Sequence, residues 1–308
     1  MYIGIDIGGT KCAVILGDED LNIVKKVKFA TTTCEETLER IFSEVAALPR
    51  CDGIGISCGG PLDEERGVIL SPPNLPGWDE VHITEKLEQR FGMPAALRND
   101  ANACAIAEHR FGAGKGSRNM VFLTFGTGLG AGLILNGRLY SGSSGMAGEV
   151  GHIRLAENGP IGYGKRGSFE GFCSGGGIAQ LAVSLADKRS EEGVASRLHD
   201  YEKEELTARL VAELAREGDR DAISIFEECA ERLGQGLSVI VDILNPDRIV
   251  IGSIYERCEE LLAPKMNEVL SKEALLPALS VCRVVPAALG DRIGDVAALS
   301  VAIDSFGG

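Results

Sequence analysis

Positive charge is in short supply in this chain of 308 residues: 31 Lys and Arg stand against 45 Asp and Glu, a net charge of −14. Nucleic acid and anionic membranes both require a basic face that displaces counterions, so neither is expected as a partner. Long hydrophobic runs are missing too. None approaches the roughly 20 residues that span a bilayer, and the sequence opens directly on a core strand, without a signal-peptide apolar region. A cytoplasmic protein is the expectation. The nine cysteines contain no C-x-x-C pair, and most lie in apolar surroundings such as Cys12, Cys58 and Cys104, which reads as buried free thiols in a reducing compartment. Repeats of solenoid period and long low-complexity tracts are absent as well.

What is present is a pair of glycine and threonine loops between apolar strands, IGIDIGGTKCAVIL at 3–16 and VFLTFGTGLGAGLIL at 121–135. Each reads as strand, tight turn, strand, with glycines able to take the positive φ of a hairpin bend. Gly8-Gly9-Thr10-Lys11 lacks the spacing and the following helix of a Walker A loop. Gly126, Gly128, Gly130 and Gly132 alternate and run into Leu133-Ile134-Leu135, which does not fit a dinucleotide fingerprint. Backbone amides at such turns, with the hydroxyls of Thr10 and Thr127, suit phosphate oxygens. Two such loops in separate halves suggest a nucleotide held between lobes. Asp6 lies within the apolar strand Ile3–Ile7, where an unpaired carboxylate is expensive to bury, and beside a phosphate loop it can hold Mg²⁺ directly or through water.

The length, with 44% hydrophobic residues, predicts two lobes of unequal size. Alternating strands and helices occupy the first: a hairpin region at 2–30, a helix near 33–47, the strand 53–58, a Pro- and Gly-rich loop at 71–78 ending in the sole tryptophan, Trp78, and a helix at 83–91. Asn99-Asp100 then precedes an alanine-rich helix that Gly112 can stop, and 112–117 reads as a hinge. We assign 1–114 to a smaller N-terminal lobe, 115–291 to a larger one, and a final helix at about 292–308 to packing back on the first. Within the larger lobe, strands are expected at 248–251 and 281–285, and a helix at 258–270.

Asn and Asp ahead of a helix are natural N-caps, yet next to two phosphate loops Asp100 also suits proton acceptance from an attacking hydroxyl. The segment Gly148-Glu149-Val150-Gly151-His152 places acceptors and donors among glycines, a pattern of solvated turns that also suits sugar hydroxyls, and Glu170 can complete such a ring.

Together, Asp6-x-Gly8-Gly9-Thr10-Lys11, Asn99-Asp100-Ala101-Asn102-Ala103, Gly126-Thr127-Gly128-x-Gly130 and Gly148-Glu149-x-Gly151-His152 resemble, in order and spacing over nearly the whole chain, the ROK family of bacterial sugar kinases and related repressors. The resemblance implies an α/β, two-lobed actin-like ATPase fold of ribonuclease H-like type, with ATP and Mg²⁺ as cofactors. It implies transfer of phosphate to a hexose hydroxyl, O6 of glucose first and of an N-acetylated hexosamine second. Asp100 would be the general base, Asn99, Glu149, His152 and Glu170 sugar contacts, and Gly60 and Asn74 lining of the sugar pocket. Asp6, Gly8, Gly9, Thr10, Lys11, Gly126, Thr127, Gly128 and Gly252 would serve the nucleotide, and a homodimer is implied. Two rival readings are a sugar-binding regulator without catalysis and a transcriptional repressor. The repressor is disfavoured because the phosphate-loop strand begins at Tyr2 and no basic helix is available.

Two departures from the family pattern stand out. Members commonly carry C-x-C-G-x-x-G-C-x-E, three thiolates that bind structural zinc with the His, where this chain has Ile161-Gly162-Tyr163-Gly164-Lys165-Arg166-Gly167-Ser168-Phe169-Glu170. No zinc site is expected, and Tyr163 is the candidate for orienting His152 instead. Gly252 is followed by Ser253 where a second glycine is expected beside the adenosine.

Overall fold

A computed structural model describes residues 1–307. The chain forms two units, one made of 1–116, 132–147 and 288–308, the other of 117–131 and 148–287.

In the first unit, β1 (Tyr2–Ile7), β2 (Lys11–Gly17) and β3 (Ile23–Ala30) form an antiparallel meander. Helix α1 (Cys34–Ala46) follows, its N-terminus capped by the Thr33 hydroxyl, which accepts from the Glu36 amide. Strand β4 (Gly53–Cys58) then pairs in parallel with β1. A small sheet of β5 (Leu62–Asp63), β6 (Val68–Ile69) and β7 (Val81–His82) precedes α2 (Ile83–Phe91), β8 (Ala95–Asn99) and α3 (Asp100–Phe111). The main sheet runs β3-β2-β1-β4-β8. Its inner strands β1 and β4 are apolar nearly throughout, as sheets covered on both faces require.

The second unit opens with β9 (Met120–Phe125) and the start of β10 (Leu129–Leu135); the end of β10 and its partner β11 (Arg138–Leu139) belong to the first unit. A 3₁₀ turn at Val150–His152 leads to the ribbon β12 (Ile161–Gly162) and β13 (Lys165–Arg166) and the single turn α4 (Phe169–Phe172). Helices α5 (Gly175–Glu192), α6 (Ala208–Arg216) and α7 (Arg220–Leu244) follow. Asn245 closes α7 in the left-handed conformation, φ 42°, one of the few non-glycine residues suited to that role. Then come β14 (Arg248–Ile251), the turn α8 (Ile254–Arg257), α9 (Glu259–Glu273), the turn α10 (Leu276–Leu279) and β15 (Arg283–Pro286), with β14 parallel to both β9 and β15. The last strand starts later than the expected 281. Leu279 carbonyl accepts from the Cys282 amide, so Val281 and Cys282 still belong to the turn before it.

Helix α11 (Ile293–Phe306) returns to the first unit, and two glycines let it approach the sheet. A Cβ on Gly4 would lie 2.8 Å from the Leu299 nitrogen, and one on Gly55 would lie 2.2 Å from the Ala298 oxygen, distances that no side chain tolerates. Among the described residues, no helix is long and apolar enough to cross a membrane.

Candidate active site

Asp6 sits near the end of β1, paired with Ala13 on one side and Ser57 on the other. Burial pushes its carboxyl up to about 6, and the negative charges of Asp100 and Asp295 add to the shift against the pull of Lys28 and Lys11. The turn that follows departs from the sequence expectation. Neither Gly8 nor Gly9 takes a positive φ; both are needed for close approach instead. A Cβ on Gly8 would stand 2.9 Å from the Lys11 carbonyl, and one on Gly9 would stand 2.6 Å from the carbonyl of Asn74, which lies over the loop. The Gly8 amide donates across the turn to Lys11, and Thr31 ties the loop from behind, its hydroxyl donating to Gly8 O at 2.6 Å and its amide to Thr10 O at 3.0 Å. The amides of Gly9 and Thr10, both exposed, engage no hydrogen bond among the described residues and are free to meet an anion.

Asn99 and Asp100 meet where β8 passes into α3. Asn99 is the N-cap: its Oδ1 accepts from the Ala101 amide at 3.0 Å, and the same amide also donates to Asp100 Oδ1 at 2.8 Å. This leaves Asp100 Oδ2 turned towards Gly59, whose absent Cβ would lie 4.0 Å away, while a Cβ on Gly60 would lie 3.4 Å from Asn99 Nδ2. The two glycines keep open the space before both side chains. Asp100 is open to solvent, yet the protein packed around that opening raises its carboxyl above the ordinary carboxylate range against the backbone hydrogen bonds that lower it. Asp6, Asn74, Asn99, Asp100 and Gly60 thus gather at the ends of β1, β4 and β8 and the loop over them.

The second unit holds the other set. The Gly126 and Gly128 loop joins β9 to β10 without a positive φ at either glycine, again contrary to expectation, and Gly126 N–H donates across it to Gly128 O at 3.1 Å. Thr124 Oγ1 accepts from the Gly130 amide at 2.9 Å, and Gly175 donates to Gly126 O at 2.8 Å, so the loop is held on both sides. Thr127 stands exposed at its tip. Glu170, on α4, crosses to this loop: its Oε2 accepts from the Leu129 amide at 3.0 Å and would lie 2.7 Å from a Cβ on Gly128. Gly236 of α7 makes room for the Phe169 ring beneath α4, which fixes where Glu170 emerges. Gly148, at φ 98°, brings its turn within 2.1 Å, for a notional Cβ, of the Ala131 carbonyl, and Gly151 packs equally closely on Leu129. Glu149 and His152 are both exposed on this turn, which packs on β10 through Gly148 and Gly151.

Comparisons with known proteins show the family and the fold. The ROK family model matches residues 2–305. The glucokinase of Thermotoga maritima is 32% identical over 99% of this chain and 98% of that protein. A ROK family glucokinase from Streptomyces griseus, solved in complex with glucose and AMPPNP, is 32% identical with a TM-score of 0.77 over 98% of this chain and 99% of that one. The xylose repressor of Caldicellulosiruptor bescii is 30% identical over 94% of this chain and 75% of that protein. The chain belongs to the ROK family. Its fold is the actin-like ATPase fold of the ROK sugar kinases.

Against the ROK pattern, the stretch without zinc cysteines is held by an antiparallel ribbon. Ile161 pairs with Arg166 and Gly162 with Lys165 around Tyr163-Gly164, both at positive φ, 44° and 74°, the backbone of a two-residue hairpin turn. Gln180 of α5 grips the ribbon through Ile161, accepting from its amide and donating to its carbonyl, each at 2.9 Å. Tyr163 meets the His152 ring edge-on, centroids 5.8 Å apart, and Lys165 Nζ donates to the His152 carbonyl. Among the described residues, no group of three or more His, Cys, Asp or Glu could hold a metal ion. The second ROK departure, Ser253, takes φ 58° and ψ −108°, a conformation suited to glycine. Its Oγ would lie 3.7 Å from a Cβ on Gly126, and Ile254, next in the chain, lines a cavity of about 400 Å³ with Arg209, Ala212, Glu213, Arg257 and Cys258.

One buried group near Asn99 escaped the reading of the sequence. Glu64, in the Asp63-Glu64-Glu65-Arg66 turn, resembles any solvated acidic turn, yet its side chain is 8% exposed and hydrogen-bonded to the Asn99 amide. Nothing in its neighbours along the chain signals this; the partner segments lie 35 and 77 residues away.

Proposed function

We propose that this ROK sugar kinase transfers the γ-phosphoryl group of ATP to a hexose hydroxyl, O6 of glucose first and of an N-acetylated hexosamine second, with Asp100 as general base. The observation that carries the reading is the state of the Asp100 carboxylate. Oδ1 is engaged by Ala101 N–H, Oδ2 faces the space left by Gly59, and the raised pKa makes it a better proton acceptor than an ordinary Asp. On the ROK pattern, Asn99, Gly60, Asn74, Glu149, His152 and Glu170 are assigned to the sugar. Phosphoryl transfer demands little covalent chemistry, so positioning and electrostatics carry most of the catalysis.

The phosphate loops Gly8–Lys11 and Gly126–Gly128, with Gly252, are assigned to the nucleotide. Asp6 is held near pH 6 by burial and by its acidic neighbours, so the site has surplus negative charge that a divalent cation relieves. Mg²⁺ fits this donor set: it takes one or two carboxylates and completes its shell with phosphate oxygens and water, without a cage of protein ligands. When bound with ATP it neutralises charge on the phosphates. The amides of Gly9 and Thr10 and the hydroxyls of Thr10 and Thr127 are the chain's own donors to the same oxygens.

A coupled assay over a hexose panel with ATP and Mg²⁺ tests the reaction, and Asp100→Asn tests the base. The variant is expected to bind sugar nearly as the parent does and to lose about 10² to 10⁴ in kcat. Turnover near the parent rate would reduce Asp100 to an ordinary first-turn residue of α3. The likeness to a xylose repressor favours one rival, sugar sensing without turnover. Sugar binding with no product from any hexose would establish it.

A further inference from the structure

We infer that Glu64 is a positioning residue for Asp100. The assignment rests on the reading of Asp100 as the base.

Glu64 follows β5 and is nearly sealed from water, at 8% exposure. Its two oxygens face different partners. Oε1 accepts from the Asn99 amide at 2.9 Å and from Asn102 Nδ2 at 2.7 Å; Oε2 accepts from the Ser141 hydroxyl at 2.9 Å and lies 3.9 Å from Arg98 Nε. Arg98 Nε is itself buried with no hydrogen-bond partner, so the Glu64 carboxylate is the counter-charge it faces. A buried carboxylate with four such neighbours is an organising point, because removing it would leave several polar groups unpaired at once.

The Oε1 side leads to Asp100 in short steps. Glu64 fixes the backbone of Asn99 from before the helix and the side chain of Asn102 from within its first turn. Asp100 lies between these two clamped residues. Asn99, once fixed, presents Oδ1 to the Ala101 amide, and that amide in turn holds Asp100 Oδ1. The rotamer of Asp100, and hence the direction of Oδ2, is therefore set through Glu64. Asn102 strengthens the point: it is 2% exposed and its Oδ1 has no partner, so its bond to Glu64 is what orients its amide. A shift of about 1 Å at a reacting group costs on the order of 10²-fold in rate, which makes this clamp kinetically visible.

The decisive experiment is a double-mutant cycle between Glu64→Gln and Asp100→Asn. Glutamine keeps the shape, but its single carbonyl oxygen turns to Arg98 and Ser141, which sets the NH₂ group against the Asn99 and Asn102 donors and breaks the clamp on the Oε1 side. We expect Glu64→Gln to melt cooperatively, to keep KM for sugar and ATP within about twofold, and to lose about 10- to 100-fold in kcat. In the Asp100→Asn background the same change should have almost no further effect, since its consequence passes through the carboxylate already removed. Asn102→Ala, which deletes one Oε1 partner only, should show a smaller kcat loss that also vanishes with Asp100→Asn, and it serves should the Gln variant fold poorly. Ser141→Ala, on the Oε2 side, should stay within about twofold of the parent. An active parent with an unaltered Glu64→Gln variant, or equal losses in both backgrounds, would overturn the assignment alone. A parent that phosphorylates no hexose would overturn the kinase reading and this assignment with it.

Discussion

Asp6 and Ser253 show how individual residues are held in unfavourable states at the ends of apolar strands. For Asp6 the folded state raises the pKa from 3.8 to about 6, so between these values the folded chain binds the extra proton. Stability therefore falls as pH rises through that window and stays reduced above it, by on the order of 2 to 3 kcal/mol. Asp6→Asn should raise the melting temperature at pH 8 by several degrees, give little change near pH 4, and abolish turnover; paired thermal melts and the coupled assay read all three. An equal shift at both pH values would show that the charge is not the cause. For Ser253 the strained φ and ψ cost about 1 to 3 kcal/mol, more than the added chain entropy of glycine, of roughly 0.5 to 1 kcal/mol. Ser253→Gly is expected to melt a few degrees higher. If the serine hydroxyl near Gly126 serves the nucleotide, KM for ATP will change and KM for sugar will not. A lower melting temperature would show that the conformation is not strained.

At the level of elements, β12 and β13 form a ribbon where the ROK pattern carries its zinc cysteines. Its hairpin turn, the Gln180 grip and the contact of Tyr163 with His152 are all made by the protein itself. Structural zinc needs four good ligands, and Ile161, Tyr163 and Ser168 supply none of the thiolates. The purified, untagged chain is expected to hold no stoichiometric zinc, and EDTA should move its melting temperature by no more than about a degree. Elemental analysis that found one tightly held zinc per chain would mean that this segment aligns differently with its relatives, and would remove the support for Glu170 as a sugar contact. Most elements could be read from periodicity and caps: the strand Gly53–Cys58 and the helix Ile83–Phe91 lie where the sequence put them. The glycines of the loops at 8–11 and 126–128 could not. Their demand for space comes from Asn74, Glu170 and strand carbonyls distant in sequence, and turn chemistry alone suggests positive φ instead.

For the whole molecule, a net charge of −14 governs its encounters. Binding to duplex DNA depends on cations that release counterions, so gel-shift titrations with duplex at physiological salt are expected to show no complex. A specific, salt-sensitive shift with a defined operator would revive the repressor reading that the likeness to a xylose repressor raises. Such a result would leave the catalytic assay as the judge between sensing and turnover.

The family, the fold class and the order of the motifs were legible in the chain, because local glycine spacing, helix caps and apolar periodicity are written in neighbouring residues. The cap at Asn99 could be read on the same ground, since its place before an alanine-rich helix is a local fact. Glu64 could not be, because a carboxylate in an acidic turn becomes a buried clamp only when β8, α3 and the segment holding Ser141 converge on it. The same holds for the raised pKa of Asp6 and the strain at Ser253. Burial, distance between charges and backbone dihedrals depend on what tertiary packing brings near, and a linear pattern carries no measure of them.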